Sequence, residues 1–215
     1  MRDLGTAVTG NDILAVSDRE RILQAMAECC AEAGYGETTV DAVLVRAGVD
    51  RDGFTSHFGG KEDCALAALN QIVSETLARI SMTKPNSDEP AARRKFEGKA
   101  ILELLEARPS FAKLALVESR QCGTTRMHDA YDSASRVLAL MLERISDSTE
   151  RPGTAARAAL GGAEAVVRRE LAAGRAVQIS RLLPDFVYAV LVPFVGQGEA
   201  LRQAKLAAKL AAEEG

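Results

Sequence analysis

Side chains able to form hydrogen bonds cluster on one face of a short predicted helix near residue 54. Phe54 and Phe58 lie four residues apart, so both are predicted to face the core. The opposite face and its flanks then carry five polar residues: Arg51, Asp52, Thr55, Ser56 and His57. Guanidinium and hydroxyl groups bond phosphate oxygens and base edges. Taken singly, each of these residues is better explained as a solvated side chain or a helix cap.

Two short helices separated by a glycine turn must position this face. Thr38 or Thr39 can cap the first helix, and Asp50 can cap the second. Gly48 can adopt the positive φ that ends a helix sharply. A turn of about three or four residues containing Gly between two helices is the sequence form of a helix-turn-helix. An ordinary αα-hairpin has the same pattern.

Helical periodicity continues along the rest of the chain. Ser17 and Glu20 form a capping box that predicts the start of the first helix, preceded by a flexible arm over residues 1–16. Lys61 begins a long fourth helix that extends to about Met82. Later helices are predicted over about 91–107, from 109, and over 125–146, 154–173, 184–195 and 198–212. The predicted class is all-α.

Composition excludes several classes of protein. No apolar run reaches the roughly 18 residues of a membrane span, and residues 1–16 lack the pattern of a signal peptide, so we expect a cytoplasmic protein. The chain has no glycine-rich phosphate loop, GxSxG or HExxH motif, which argues against an enzyme and against a cofactor. The four cysteines, which lack metal-site spacing, are expected to be buried and reduced: Cys29, Cys30, Cys64 and Cys122.

Several short motifs between residues 21 and 69 occur in a specific order and spacing. They are Arg21-Ile22-Leu23, Ala33-Gly34-Tyr35, Thr38-Thr39-Val40, Ala47-Gly48-Val49, Phe54, His57-Phe58 and Lys61-Glu62. This segment resembles the N-terminal DNA-binding domain of the TetR family of transcriptional regulators. The resemblance implies a three-helix helix-turn-helix head over residues 17–64. A long fourth helix would join it to a helical ligand-binding and dimerisation domain over residues 65–215.

The resemblance also implies how the head contacts its partner, a double-stranded DNA operator. In the family the outward face of the third helix enters the major groove, and the starts of the second and fourth helices hold the phosphate backbone. The implied DNA-binding residues are Thr38, Thr39, Arg51, Asp52, Thr55, Ser56, His57 and Lys61. The implied activity is that of a ligand-responsive repressor. It would act as a homodimer on a palindromic operator with half-sites about one helical turn apart.

The charge balance and three residues of the predicted third helix weigh against DNA recognition. Residues 1–80 carry seven Lys/Arg and thirteen Asp/Glu, whereas binding through a general basic field requires the opposite balance. Thr55 stands where the family usually has Tyr, and Gly53 where it often has Ser or Thr. The Asp52 carboxylate repels phosphate. The alternative is therefore a TetR-like dimer that binds ligand or protein and has lost specific DNA recognition.

The C-terminal half is expected to supply the dimer interface and the pocket. Helices over about 154–173 and 184–195 resemble the family's dimerisation pair, and Gly161-Gly162 indicates either close helix approach or a kink. An unknown small apolar or aromatic effector is expected to contact a set of residues, although each of them singly is better explained as plain core: Phe96, Phe111, Met127, Tyr131, Met141 and Tyr188.

Overall fold

The computed structural model describes residues 10–83, 90–121, 124–143 and 152–212. Ten α-helices in the described residues are α1 Gly10–Ala33, α2 Val40–Ala47, α3 Arg51–Thr55, α4 Lys61–Met82, α5 Pro90–Ala107, α6 Pro109–Lys113, α7 Ser119–Gln121, α8 Thr125–Leu142, α9 Pro152–Ala172 and α10 Leu183–Ala212. A π-helical turn, Leu114–Glu118, joins α6 to α7, and a 3-10 helix, Ala176–Leu182, precedes α10. The predicted all-α class is confirmed. The predicted breaks at 84–90 and 148–153 lie mostly outside the described residues.

The local signals of the helix-turn-helix form as predicted. The Thr39 hydroxyl accepts a hydrogen bond from the Ala42 amide at 3.2 Å and caps α2. Gly48 ends α2 with a φ of 63°. The Asp50 carboxylate then caps α3, accepting from the Gly53 amide at 2.8 Å. Each signal acts within four residues along the chain, which is why the sequence alone predicts it.

The start of α1 differs from the prediction. The helix begins at Gly10, so Ser17 lies inside it and does not cap it. Residues 10–16, predicted as part of a flexible arm, are helical. A capping box marks a possible start, but a favourable helical sequence upstream can extend the helix through it.

The head packs around the two predicted phenylalanines. Phe54 and Phe58 are buried, with ring centroids 5.6 Å apart, and α3 packs against α1. Three of the four cysteines, Cys29, Cys30 and Cys64, are buried free thiols as predicted, whereas Cys122 lies outside the described residues. Burial raises the pKa of Cys30 to about 11 and of Cys64 to about 12, so both are protonated core residues.

The body is built on the packing of α10 against α9 and α5. A Cβ at Gly162 of α9 would lie 3.4 Å from the Ala189 Cβ, and one at Gly98 of α5 would lie 3.0 Å from the Phe186 ring. Both glycines therefore allow close approach to α10. The element α10 consists of two helical segments that meet at Gly196, where a φ of 75° and a ψ of 172° are not helical, so the helices predicted over 184–195 and 198–212 are separated at the expected place.

One stretch, Gln178–Leu210, is long and apolar enough, by length and composition, to cross a membrane. Its fully buried side chains include Val187 and Leu191, and the helix packs on α9 and α5. The core helix of a compact domain has the same properties, and we interpret it in this way. The prediction of no membrane span stays a prediction.

Candidate functional site

The exposed face of α3 carries one guanidinium that is already paired. Arg51 forms an ion pair with Asp41 of α2, and the two side chains are 63% and 76% exposed. Such an exposed pair contributes little to stability, typically about 0–1 kcal/mol. Arg51 can therefore exchange Asp41 for a phosphate or a base edge at small cost.

The neighbouring hydroxyl groups are exposed but bonded within the helix. Thr55 Oγ1 donates to the Asp52 carbonyl at 3.2 Å, and Ser56 Oγ donates to the Gly53 carbonyl at 2.7 Å. A phosphate oxygen can only accept hydrogen bonds. Each hydroxyl group must therefore rotate away from its carbonyl before it can donate to a phosphate. The Asp52 side chain lies on the same surface and is exposed. The half-buried His57 ring packs 6.1 Å from the Phe58 centroid.

Two residues of the predicted DNA-contacting set hold the turn between α1 and α2 instead of facing solvent. Thr38 is only 3% exposed, and its hydroxyl donates to the Gly34 carbonyl at 2.9 Å. The Lys61 ammonium donates to the carbonyls of Tyr35, Gly36 and Thr38 at 2.9, 3.2 and 2.9 Å. An ammonium has three protons, and all three are used here.

Two other cations near the helix-turn-helix differ in availability. Arg46 is bonded through both terminal nitrogens to Glu32, and this pairing lowers the pKa of the carboxyl. Arg19 of α1 is exposed and lies over the Phe58 ring, 5.8 Å from its centroid. Sequence reasoning did not single out Arg19, because only the packing of α1 on Phe58 brings it to this surface.

A cavity opens in the body between α4, α5, the π-helical turn, α8, α9 and α10, with an empty volume of about 1050 Å³ that includes its open mouth. Tyr131 and Met141, predicted as pocket residues, line it. The other predicted residues lie outside the lining. Phe111 and Met127 are fully buried in the core, and Phe96 and Tyr188 are half-buried elsewhere.

Tyr131 belongs to a polar network on the cavity wall. Its hydroxyl donates to the Glu164 carboxylate of α9 and accepts from Arg120 at 3.1 Å. Desolvation raises the pKa of Glu164 and, together with the Glu164 charge, that of Tyr131. The network thus places a carboxyl group with a raised pKa beside an otherwise apolar surface.

A second polar group of the lining is the ion pair of Arg94 and Glu97 on α5. Their side chains are 11% and 5% exposed. Arg93 also donates to Glu97 at 2.9 Å. The spacing of i,i+3 and i,i+4 is visible in the sequence, but the burial that makes this pair part of a cavity is not.

The head matches a known protein family. Residues 22–68 match the family model described as bacterial regulatory proteins, tetR family. The head is a tetR-family domain. No curated protein sequence matches the chain significantly.

Solved structures of transcriptional regulators share the fold over most of the chain. The fatty acid degradation regulator FadR from Bacillus halodurans has a TM-score of 0.67 at 16% identity, covering 81% of this chain and 95% of that one. FadR from Bacillus subtilis in complex with stearoyl-CoA has a TM-score of 0.67 at 16% identity, covering 82% of this chain and 98% of that one. SmeT, the repressor of the Stenotrophomonas maltophilia multidrug efflux pump SmeDEF, has a TM-score of 0.62 at 19% identity, covering 81% of this chain and 87% of that one. At these identities the likeness shows the fold alone.

The tetR-family head is bonded to the segment that lines the cavity. Ala115 and Leu116 of the π-helical turn line the cavity. Glu118, in the same turn and 8% exposed, accepts a hydrogen bond from the Tyr35 amide at 3.1 Å. Tyr35 in turn accepts from Lys61 through its carbonyl. A short path of direct contacts therefore joins the cavity to the turn that positions α2.

A second connection joins α8 to the start of α4. Arg126 lies 3.0 Å from Glu62 and 2.9 Å from Asp63. Since α8 also lines the cavity through Tyr131 and Met141, this ion pair links the other wall of the cavity to the first turn of α4. Sequence reasoning missed both connections because their partners lie more than sixty residues apart.

Proposed function

We propose that this protein is a ligand-responsive repressor that binds a palindromic DNA operator as a homodimer, in the cytoplasm. The head, over residues 17–64, would contact DNA, and residues 65–215 would bind the effector and dimerise. The observation that carries the proposal is the bonded path from the cavity through Glu118 to the tetR-family helix-turn-helix.

DNA contact would rest on a few local groups. Arg51 would exchange Asp41 for phosphate or a base, while Thr39, Thr55, Ser56 and His57 would supply further polar contacts. Asp52, on the same surface, can accept from a cytosine amino group. We assign Lys61 and Thr38 a positioning role, since their side chains bond the turn. Arg19 is added as a candidate phosphate contact.

The proposed dimer forms through α9 and α10. The exposed face of α9 carries the small residues Ala158, Gly161 and Ala165, and a Cβ at Gly161 would meet open space. On α10, Val192 and Val195 are half-exposed. Small and apolar residues on adjacent helices permit the close packing of a four-helix interface. Gly161→Glu is expected to give monomers in analytical ultracentrifugation, whereas Ser133→Glu, on the exposed side of α8, should leave the dimer intact.

Effector binding would act through the π-helical turn. A π-turn holds one extra residue in the helix, and such turns occur frequently at functional sites. A ligand pressing on Leu116 would shift the turn and withdraw Glu118 from Tyr35, loosening the position of α2 relative to α1. The separation of the two α3 helices would change, and both heads could no longer seat on one operator. The stearoyl-CoA complex of FadR and the repressor SmeT are examples of ligand binding and repression on this fold.

The test is binding of the purified protein to the DNA flanking its own gene, across a salt series, against a scrambled duplex. Selective binding by a dimer that weakens steeply with salt is expected. In the same assay Glu118→Ala should bind the operator but respond less to effector. Equal binding to both duplexes, followed by failure to select any sequence from random duplexes, would contradict the proposal.

The second candidate is a tetR-type dimer that binds ligand or protein and no longer reads DNA. The engagement of Lys61 by three carbonyls and of Arg46 by Glu32 favours it, because each removes a cation from the surface of an acidic head. Under this alternative the random-duplex selection yields nothing, while effector still binds to the body.

A further inference from the structure

The cavity is elongated along two helices. Its lining on α4 extends from Leu69 to Ile80 and on α8 from Tyr131 to Leu142. The contact of Arg126 with Glu62, at the first turns of α8 and α4, shows that the two helices start at the same end. The first and last lining residues on each helix are eleven steps apart, and at 1.5 Å per step this gives a length of about 16 Å. Most of this length is apolar, as the lining side chains of Ile, Leu, Val, Phe and Met show.

One ion pair lies on this wall. Arg94 is bonded to the Glu97 carboxylate, which also accepts from Arg93, an exposed residue outside the lining. The pair lies in the first half of α5, which packs on α4 and follows it in the chain. It is therefore near the Ile80 end of the cavity.

One donor of this pair is left without a partner. The Nε of Arg94 is buried and has no hydrogen-bond partner among the residues that the structure describes. A buried donor of a charged group is costly to leave unbonded, so a ligand acceptor at this point would be strongly favoured. The planar guanidinium matches a carboxylate in both charge and geometry.

The other charged group of the lining does not offer a comparable site for a cation. Glu164 already accepts from Tyr131, and its pKa is raised by desolvation, which disfavours the ionised form. Glu97 accepts from both arginines. Among the described lining residues, the buried charged donor left for a ligand acceptor is Arg94 Nε.

Resting on the function proposed above, we propose that the effector is an elongated amphipathic monoanion, an unbranched apolar chain ending in a carboxylate. The carboxylate bonds Arg94 and the chain extends along α4 and α8 toward Leu69. Each further methylene buried in the cavity should tighten binding roughly fourfold until the chain fills the cavity. The charged head should add roughly 10- to 100-fold over a neutral head of the same chain length.

Isothermal titration calorimetry of the full-length protein tests this, with octanoate, decanoate and dodecanoate below their micelle concentrations. Decanol and decyltrimethylammonium are the neutral and cationic probes of matched chain length. Affinity should rise along the carboxylate series, and decanoate should exceed both matched probes by the factors given above. Equal or tighter binding of decanol or of the cation, or binding to none of the carboxylates, would overturn the inference.

The double variant Arg94→Met, Glu97→Met removes the buried pair together, so no charge of the pair is left alone in the cavity. It should bind decanoate and decanol with similar affinity. Arg93→Met is the matched control, because Arg93 bonds the same Glu97 but is 43% exposed and lies outside the lining. It should keep the preference for decanoate. A preference retained by the double variant would refute the role of Arg94.

The two proposals fail separately. Operator binding is measured without any effector, so a protein that binds carboxylates and no DNA contradicts the repressor alone. A protein that binds its operator and none of the carboxylates contradicts the effector alone.

Discussion

Replacing Lys61 with Met should destabilise the head without changing the number of phosphates that it contacts. The Lys61 ammonium donates to the carbonyls of Tyr35, Gly36 and Thr38 and lies 4.4 Å from the Tyr35 ring centroid. Met keeps the apolar length of the side chain and removes the donors. The three carbonyls then lose a charged partner that ties the start of α4 to the turn before α2.

The size of the effect follows from these bonds. A hydrogen bond to a charged group contributes about 1.5–3 kcal/mol, but three bonds of one ammonium are not additive. The carbonyls near the half-buried Lys61 can also bond water, so we expect a loss of about 2–4 kcal/mol. A protein of this size loses roughly 2–4 °C in Tm per kcal/mol. Thermal unfolding followed by circular dichroism at 222 nm measures the change.

The salt dependence of DNA binding separates this role from a phosphate contact. Each neutralised phosphate contributes about 0.9 to the slope of log K against log salt, or about 1.8 for the two heads of a dimer. Fluorescence anisotropy with labelled operator, at a temperature where Lys61→Met is folded, should give the wild-type slope. A lower slope together with an unchanged Tm would refute the reasoning and restore Lys61 as a phosphate contact.

Arg51→Gln is the matched control for this experiment. Its ion pair with Asp41 is exposed, so the free energy of unfolding should change by less than about 1 kcal/mol. Its salt slope should fall by about 0.9 per head if Arg51 contacts phosphate. The two variants are thus expected to show opposite patterns of stability and salt dependence.

Three further predictions follow from the charged groups. Asp41→Asn releases Arg51 and removes a negative charge from the α2–α3 surface, so operator affinity in anisotropy should rise severalfold, and an unchanged affinity would count against Arg51 as a DNA contact. Arg126→Gln removes an exposed ion pair and should change the free energy of unfolding by about 1 kcal/mol or less. It should nevertheless reduce the factor by which effector weakens operator binding. An unaltered factor would show that the contact of α8 with α4 carries no coupling. Glu164 has a raised pKa, so the folded state favours its protonated form, and its contribution to stability is present below the ordinary value of 4.5 and is lost as pH rises through the folded-state value. Glu164→Gln should therefore stabilise the protein in urea unfolding at pH 8 relative to wild type, with the gain shrinking at pH 4, and a gain independent of pH would contradict this assignment.

Features of the head that act over a few residues were predictable from the sequence. Thr39, Gly48 and Asp50 lie at the ends of α2 and α3 and act on amides or dihedral angles within four residues. Phe54 and Phe58 lie one helical turn apart and are buried together. The resemblance to the TetR family rests on such local signals and on their order.

The roles of individual polar residues could not be predicted in this way. Thr38 and Lys61 have suitable chemistry for phosphate, but the folded turn offers them carbonyl oxygens at 2.9–3.2 Å. Two of the six predicted pocket residues line the cavity, because an apolar residue with helical spacing faces a core whether or not that core contains a cavity.

The sequence by itself determined the helical class, the starts of α2 to α4 and the identity of the head as a tetR-type domain. Tertiary structure alone decided which charges are free, where the cavity lies, and that Glu118 bonds Tyr35 across 83 residues. The physical reason is the distance along the chain over which each kind of interaction acts. Caps, turns and periodicity are set by neighbours along the chain, whereas burial and pairing of side chains are set by helices that meet only after folding.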